Sequence, residues 1–233
     1  MCFSRRCASP DRFDLLPRAP GPTLRPSRPT CHLPPMPMQE PERSHSENTL
    51  LSHFSQYIRL SPALQADLAD KVAIIHFRKG ATVHDMGRVC KESFFIRQGL
   101  LRTYYLKDGK EISEYFCAEE EWVNSPRSFM RQQLDIYSID ALEDTEAYRL
   151  KVADLGYLFD HYPEMERYAR LSMGSLFGHL IERITSLRFT TAAEKYAHFC
   201  QAYAGIHHRI PLSMVASYLG ITQETLSRVR ARN

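Results

Sequence analysis

The sequence predicts an α+β protein in which an antiparallel β-roll is followed by a long helix and a C-terminal helix–turn–helix. Strand-like runs separated by glycine turns alternate from residue 72 to residue 150, which is typical of an antiparallel roll or sandwich. From Pro163 to Arg188 the apolar period lengthens to between three and four residues, as in a helix. Residues 212–231 place apolar side chains on both sides of Gly220, in the pattern of two short helices joined by a tight turn.

Composition places the chain among soluble globular proteins. Of its 233 residues, 43% are apolar and 24% are charged, which leaves ample chain for a buried core. No apolar run approaches the roughly 20 residues that a membrane helix needs, and the N-terminal stretch has no apolar segment of a signal peptide. We therefore expect a cytoplasmic protein without a membrane partner.

The six cysteines predict neither disulfides nor a bound metal. They form no Cys-x-x-Cys pair, so reduced thiols are expected. An iron–sulfur sensor built on Cys2, Cys7 and Cys31 would need a fourth ligand and a folded cradle. We predict no cofactor.

Residues 1–45 are predicted to be a disordered tail rich in proline and arginine. Ten of the 14 prolines lie there, with few apolar residues between them that could pack. The segment could serve as a proline-rich docking arm. It could equally be a dispensable extension upstream of a start at Met36 or Met38.

The β-roll is predicted over residues 46–160. Short helices come first, and the Ser61-Pro62 pair is a helix-start signal. The strand runs are VAIIHF, ATVH, SFFIRQGLLRTYYL, EISEYF, IYSIDAL and TEAYRL. Asp108-Gly109 predicts a hairpin turn because both residues tolerate positive φ.

Residues 161–190 are predicted to form a dimerisation helix. Arg183 interrupts the stripe that we predict as the dimer interface, and a single broad stripe facing the core is the alternative. A second stripe beside it consists of Phe177, Ile181 and Ile184. The predicted interface residues are Met173, Leu176, Leu180 and Leu187.

Residues 191–233 are predicted to be a DNA-binding domain. Gly220 permits the tight turn, and Thr222 is the expected N-cap of the second helix. Residues 206–233 carry four arginines and one glutamate, a net charge of +3, whereas residues 46–205 carry −3. The alternative is a helical hairpin that merely completes the core.

The outward face of the second helix has the chemistry of a base-reading helix. Arginine can donate two hydrogen bonds to guanine, glutamine can pair with adenine, and glutamate can accept from the cytosine amino group. Threonine hydroxyls and a helix N-terminus suit phosphate oxygens. The predicted DNA-binding residues are Thr222, Gln223, Glu224, Thr225, Ser227, Arg228, Arg230 and Arg232.

From Leu50 to Asn233 the sequence resembles the Crp/Fnr family of transcription regulators. The motif ASYLGITQETLSR carries most of this resemblance, and GLLRTYYLKDGKE in the roll is the next most specific. The resemblance implies a cyclic-nucleotide-binding-like roll and a homodimer on a palindromic double-stranded operator, with half-sites about 34 Å apart. It also makes RNA polymerase a candidate partner. In that family the positions matching Gln223, Glu224 and Arg228 reach base edges.

The sequence departs from the family pattern where cyclic AMP would bind. Asn124-Ser125 replaces the Gly-Glu pair that holds the ribose, and Asp135-Ile136 replaces the Arg-Ser pair that holds the phosphate. A carboxylate repels a phosphate, so cyclic AMP is not the expected effector. The predicted effector pocket comprises Trp122, Asn124, Ser125, Arg127 and Ser128.

A second departure follows the reading helix, where the sequence has no β-wing to grip the DNA backbone. Each missing phosphate contact lowers the salt slope of binding by about 0.9.

Two rival functions remain: a cupin-like metal-dependent enzyme, and a ligand-binding module that does not bind DNA. His76 and His84 are spaced too loosely for a cupin metal site, so we predict that the protein is not an enzyme.

Overall fold

The computed structural model describes residues 49–189 and 191–231. The predicted tail, residues 1–45, lies outside this part of the chain. The described helices are α1 (Thr49–Ser55), α2 (Pro62–Lys71), α3 (Pro126–Arg131), α4 (Val152–His161), α5 (Pro163–Phe189), α6 (Ala192–Ala202), α7 (Leu212–Leu219) and α8 (Gln223–Arg230). The described strands are β1 (Ala73–Phe77), β2 (Thr82–His84), β3 (Glu92–Gln98), β4 (Leu101–Lys107), β5 (Lys110–Cys117), β6 (Trp122–Val123), β7 (Tyr137–Ala141) and β8 (Thr145–Lys151).

The strands form two antiparallel four-stranded sheets, in the orders β1-β8-β3-β6 and β2-β7-β4-β5. Alternate side chains of the facing strands fill the space between the sheets. This roll core contains Phe94, Ile96, Leu101, Cys117, Val123, Ile139, Ala141 and Ala147. The predicted α+β fold with an antiparallel roll is confirmed.

Turn residues fix the hairpins as the sequence predicts. Asp108 and Gly109 both have positive φ, 52° and 71°, and join β4 to β5. Gly99 has a φ of 118°, and a Cβ added there would lie 2.3 Å from the Thr145 hydroxyl. Only glycine therefore fits between β3 and β4.

The sequence prediction omitted β6, α3 and α4. The Ser125-Pro126 pair at the start of α3 is a helix-start signal of the same kind as Ser61-Pro62, which opens α2. Ser61 also caps α2, since its hydroxyl accepts from the Leu64 amide. No helix in the described part of the chain is long and apolar enough to cross a membrane.

The first turns of α5 and the N-terminal helices cover one side of the roll. We call the aromatic cluster there, made of His53, Phe54, Phe95, Trp122 and Tyr168, the aromatic junction. Trp122 Nε1–H donates to the Tyr168 hydroxyl at 2.8 Å, and this hydroxyl lies 2.8 Å from His53 Nε2. Burial lowers the pKa of His53 to about 4, so the imidazole is neutral near pH 7.

Candidate nucleic-acid interface and effector region

The α7–α8 pair is built by local signals and closed by a small core. Gly220 ends α7 with a φ of 65°, and the Thr222 hydroxyl caps α8 by accepting from the Thr225 amide. The buried residues of the pair are Val215, Ala216, Tyr218, Leu219 and Leu226. The turn between the helices and the start of α8 are therefore satisfied within the pair, and the outer face of α8 is left to solvent.

That outer face presents the predicted contact residues to solvent. Gln223, Glu224, Ser227 and Arg228 are exposed on α8, and Thr222 is exposed at its start. Thr225 is half-buried, with its hydroxyl 3.0 Å from that of Thr222. Arg230 is exposed at the end of α8, whereas Arg232 lies outside the described residues.

Arg209 does not add to the exposed positive charge of α8, because it is paired with acidic residues. Its guanidinium donates to Glu143 Oε1 at 3.0 Å and to Glu119 Oε2 at 2.9 Å, both on the roll. Burial alone would raise the pKa of Glu119, but hydrogen bonds from Arg209 and from the Gly99 amide outweigh it and lower that pKa. Within residues 206–231, the exposed arginines are therefore those of α8, Arg228 and Arg230.

We call α6–α8 the reader, and its contact with the roll the reader junction. Phe116 on β5 packs there against Phe199, Tyr203 and Tyr218 of the reader. These aromatic rings lie in one apolar cluster with Leu100 and Leu142 of the roll. The reader therefore shares a core with the roll in this arrangement.

Ser217 of α7 pairs with the free edge of the outermost strand, β5. Its hydroxyl accepts from the Ser113 amide at 3.0 Å and donates to the Glu111 carbonyl at 2.9 Å. A strand edge offers unpaired backbone groups that need partners when they are covered. One serine side chain supplies both partners and fixes α7 along β5.

The long helix α5 has 27 residues and a length of about 40 Å. One side faces the rest of the chain, through Met165, Tyr168 and half-buried Leu176. Of the predicted interface residues, Met173 is 58% and Leu180 is 38% exposed, and the Leu187 side chain lies outside the described part. Phe177, Ile181 and Ile184 are exposed as well.

The predicted effector residues have different partners in the structure. Trp122 points into the aromatic junction, and Asn124 Nδ2 donates to the Ser93 hydroxyl at 3.0 Å. The Ser128 hydroxyl accepts from the Cys90 amide and donates to the Gln133 carbonyl. Arg127 is exposed on α3, and Ser125 is buried.

The position expected to hold a phosphate is occupied by an internal pair. Asp135 is buried, and its carboxylate lies 3.0 Å from His84 Nε2 and accepts from the Tyr137 amide at 3.1 Å. This carboxylate therefore already has two hydrogen-bond partners within the roll. The side chains paired there are a carboxylate and an imidazole, in place of the arginine that the family pattern sets against a phosphate.

Residues 74–162 match the family model of the cyclic nucleotide-binding domain. FixK2 from Bradyrhizobium japonicum has a similar structure, with a TM-score of 0.60, 17% identity, and coverage of 69% of this chain and 83% of that chain. A putative Crp/Fnr regulator from Eubacterium rectale has a TM-score of 0.60 and 22% identity, with coverage of 74% of this chain and 83% of that chain. The c-di-GMP responsive regulator CLP from Xanthomonas campestris gives 0.59 at 13% identity, covering 74% and 91%.

The chain has the fold of the Crp/Fnr transcription regulators. The fold that the sequence resemblance implies is thereby confirmed. No curated protein sequence matches the chain. The family match ends at Tyr162, so within the Crp/Fnr fold α5 and the reader lie outside the matched domain.

The two histidines considered for a cupin-like metal site lie in different parts of the roll. His76 lies 3.9 Å from Glu146, and His84 pairs with Asp135 on another strand pair. Across residues 49–189 and 191–231, no group of three or more histidine, cysteine or acidic side chains could hold a metal ion. The two histidines therefore do not converge in the described structure.

Proposed function

We propose that the protein is a DNA-binding transcription regulator that acts as a homodimer and reads a palindromic operator through α8. The observation that carries the proposal is the exposed polar face of α8 on an internally satisfied α7–α8 pair. Such a helix can enter a major groove while the first helix of the pair crosses the backbone.

Each side chain on this face has a defined task in the proposal. Arg228 and Gln223 contact base edges, and Glu224 accepts from a cytosine amino group. The capped N-terminus of α8 lies beside Thr222 and contacts a backbone phosphate. Arg230 adds an electrostatic backbone contact at the other end of the helix.

Dimerisation rests on the apolar side of α5. Met173, Phe177, Leu180, Ile181 and Ile184 are all exposed there, and a monomer rarely leaves such a contiguous stripe in water. A second copy of α5 would cover it in a two-stranded arrangement, and symmetric dimers match palindromic DNA.

The roll is proposed to bind an effector that does not place a phosphate at the Asp135 position. Calorimetric titration of the protein with cyclic AMP should give no binding heat, because Asp135 and His84 satisfy each other at that position. A dissociation constant in the micromolar range would contradict this part of the proposal.

The central test is a genome-wide pull-down of DNA bound to the protein in its native host. We expect one enriched palindrome. A pull-down with no enriched palindrome would overturn the regulator proposal.

A point substitution then separates a regulator from a ligand-binding module. Arg228→Ala should weaken binding to the enriched palindrome by about 1–3 kcal/mol, since one base contact is lost. The matched control is Arg78→Ala, which removes an exposed arginine from the roll, in the turn after β1. Equal DNA retention by wild type and Arg228→Ala at low salt would favour the module.

A further inference from the structure

Arg183 breaks the apolar pattern of α5, and its surroundings explain why. Its Nη1 lies 2.6 Å from Glu114 Oε1 on β5. Its guanidinium carbon lies 4.5 Å from the centre of the Tyr218 ring on α7. Three separate elements, the long helix, the roll and the reader, therefore meet at one side chain.

The guanidinium suits this three-way contact. A planar guanidinium can bond a carboxylate along its edge while its face stacks on an aromatic ring, which a lysine ammonium cannot reproduce. The Arg183 side chain is 13% exposed and that of Glu114 is 34% exposed, so the ion pair is only partly screened by solvent and salt. Burial would lower the pKa of Arg183, but the hydrogen bond and charge of Glu114 outweigh it and raise that pKa.

The other polar contacts of the reader junction join the reader to the roll. Ser217 bonds to the edge of β5, and Arg209 pairs with Glu119 and Glu143 of the roll. In residues 49–189 and 191–231, Arg183–Glu114 is the ion pair made by α5. It lies six residues before the helix ends at Phe189, close to where the chain enters the reader.

We propose that Arg183 is a positioning residue that sets the orientation of the α7–α8 pair relative to α5. The inference rests on the proposed function, in which two α5 helices form the dimer. The angle between α5 and the reader then determines how far apart the two α8 helices lie. That distance selects the spacing of the operator half-sites, which is about 34 Å for one turn of DNA.

The experiment uses the full-length protein and the palindrome recovered by the pull-down. Binding is measured to the palindrome, to versions with one or two base pairs added to or removed from its centre, and to a single half-site. Arg183→Met removes the guanidinium and keeps an unbranched apolar side chain. Arg188→Met is the matched control, an exposed arginine on the same helix.

Wild type should prefer one spacing clearly. Arg183→Met should lose about ten-fold or more in affinity at that spacing, the size expected for one charge-assisted hydrogen bond. Its half-site affinity should change by less than about two-fold, and its preference among spacings should flatten. Arg183→Lys should recover only part of the preference, and Arg188→Met should match wild type.

Glu114→Gln tests the same contact from the roll and should flatten the spacing preference too. It keeps the proposal testable if Arg183→Met does not fold, which urea unfolding would reveal. Sedimentation must show the same oligomeric state for each variant and wild type.

Three results would overturn the inference: unchanged spacing preference in Arg183→Met and Glu114→Gln, equal losses on half-site and palindrome, or a change in oligomeric state. A wild-type protein that binds the palindrome no better than the half-site would instead contradict the proposed function.

Discussion

The roll is joined to the helical parts of the chain at two aromatic junctions that differ in their polar chemistry. The aromatic junction is linked by uncharged hydrogen bonds through the Tyr168 hydroxyl. The reader junction is bordered by ion pairs, Arg183 with Glu114 and Arg209 with Glu119. Both junctions bury aromatic rings.

The difference teaches which conditions each junction responds to. Protonation of a buried imidazole destabilises the apolar cluster around it, because the charged form is poorly solvated there. Partly exposed ion pairs are weakened by salt and are less sensitive to pH near neutrality. The two junctions should therefore be separable by pH and ionic strength.

The largest effect is expected from removing a ring at the aromatic junction. Phe54 is fully buried, and Phe54→Ala should lower the free energy of unfolding by about 3–5 kcal/mol through lost burial and a cavity. Urea unfolding at pH 7 measures it. Ile74→Ala, at a residue that is 53% exposed, is the control and should cost far less. A loss below about 1 kcal/mol for Phe54→Ala would mean that the junction is not a tight core.

A smaller, pH-dependent effect is expected from His53. Its pKa falls from 6.5 to about 4 in the folded chain, so between these values the unfolded state binds more protons. The stabilisation is complete above pH 6.5 and is lost as the pH falls toward 4, by up to about 1.4 kcal/mol per pH unit. Unfolding measured at pH 7 and pH 5 in wild type and His53→Gln isolates this contribution. Equal pH slopes in the two proteins would contradict it.

The reader could be predicted from sequence because its signals are local. Gly220 and Thr222 determine the turn and the cap within a few residues of themselves. The capping box of α6, between Thr191 and Glu194, is local as well.

The polar contacts at the junctions could not be predicted in this way. The sequence predicts Trp122 in an effector pocket, and it does not predict that Trp122 bonds to Tyr168, 46 residues away, or that His53 lies beside Tyr168, 115 residues away. Arg209 contributes to the net charge that the sequence gives residues 206–233, but its partner Glu119 lies 90 residues away on the roll. Residue type alone does not reveal which distant group a side chain meets.

The smallest effect is expected from the outer ion pair of the reader junction. Arg209→Met should lower the free energy of unfolding by about 1 kcal/mol, since the pair with Glu119 and Glu143 is partly exposed. The difference in free energy of unfolding from wild type should shrink between about 0.05 M and 0.5 M NaCl, because added salt shortens the Debye length and screens these partly exposed charges. Arg228→Met, on the solvent face of α8, should show no such salt-dependent difference. If the Arg209→Met deficit persisted at high salt, packing of the side-chain stem against the roll, rather than charge, would hold this edge of the junction.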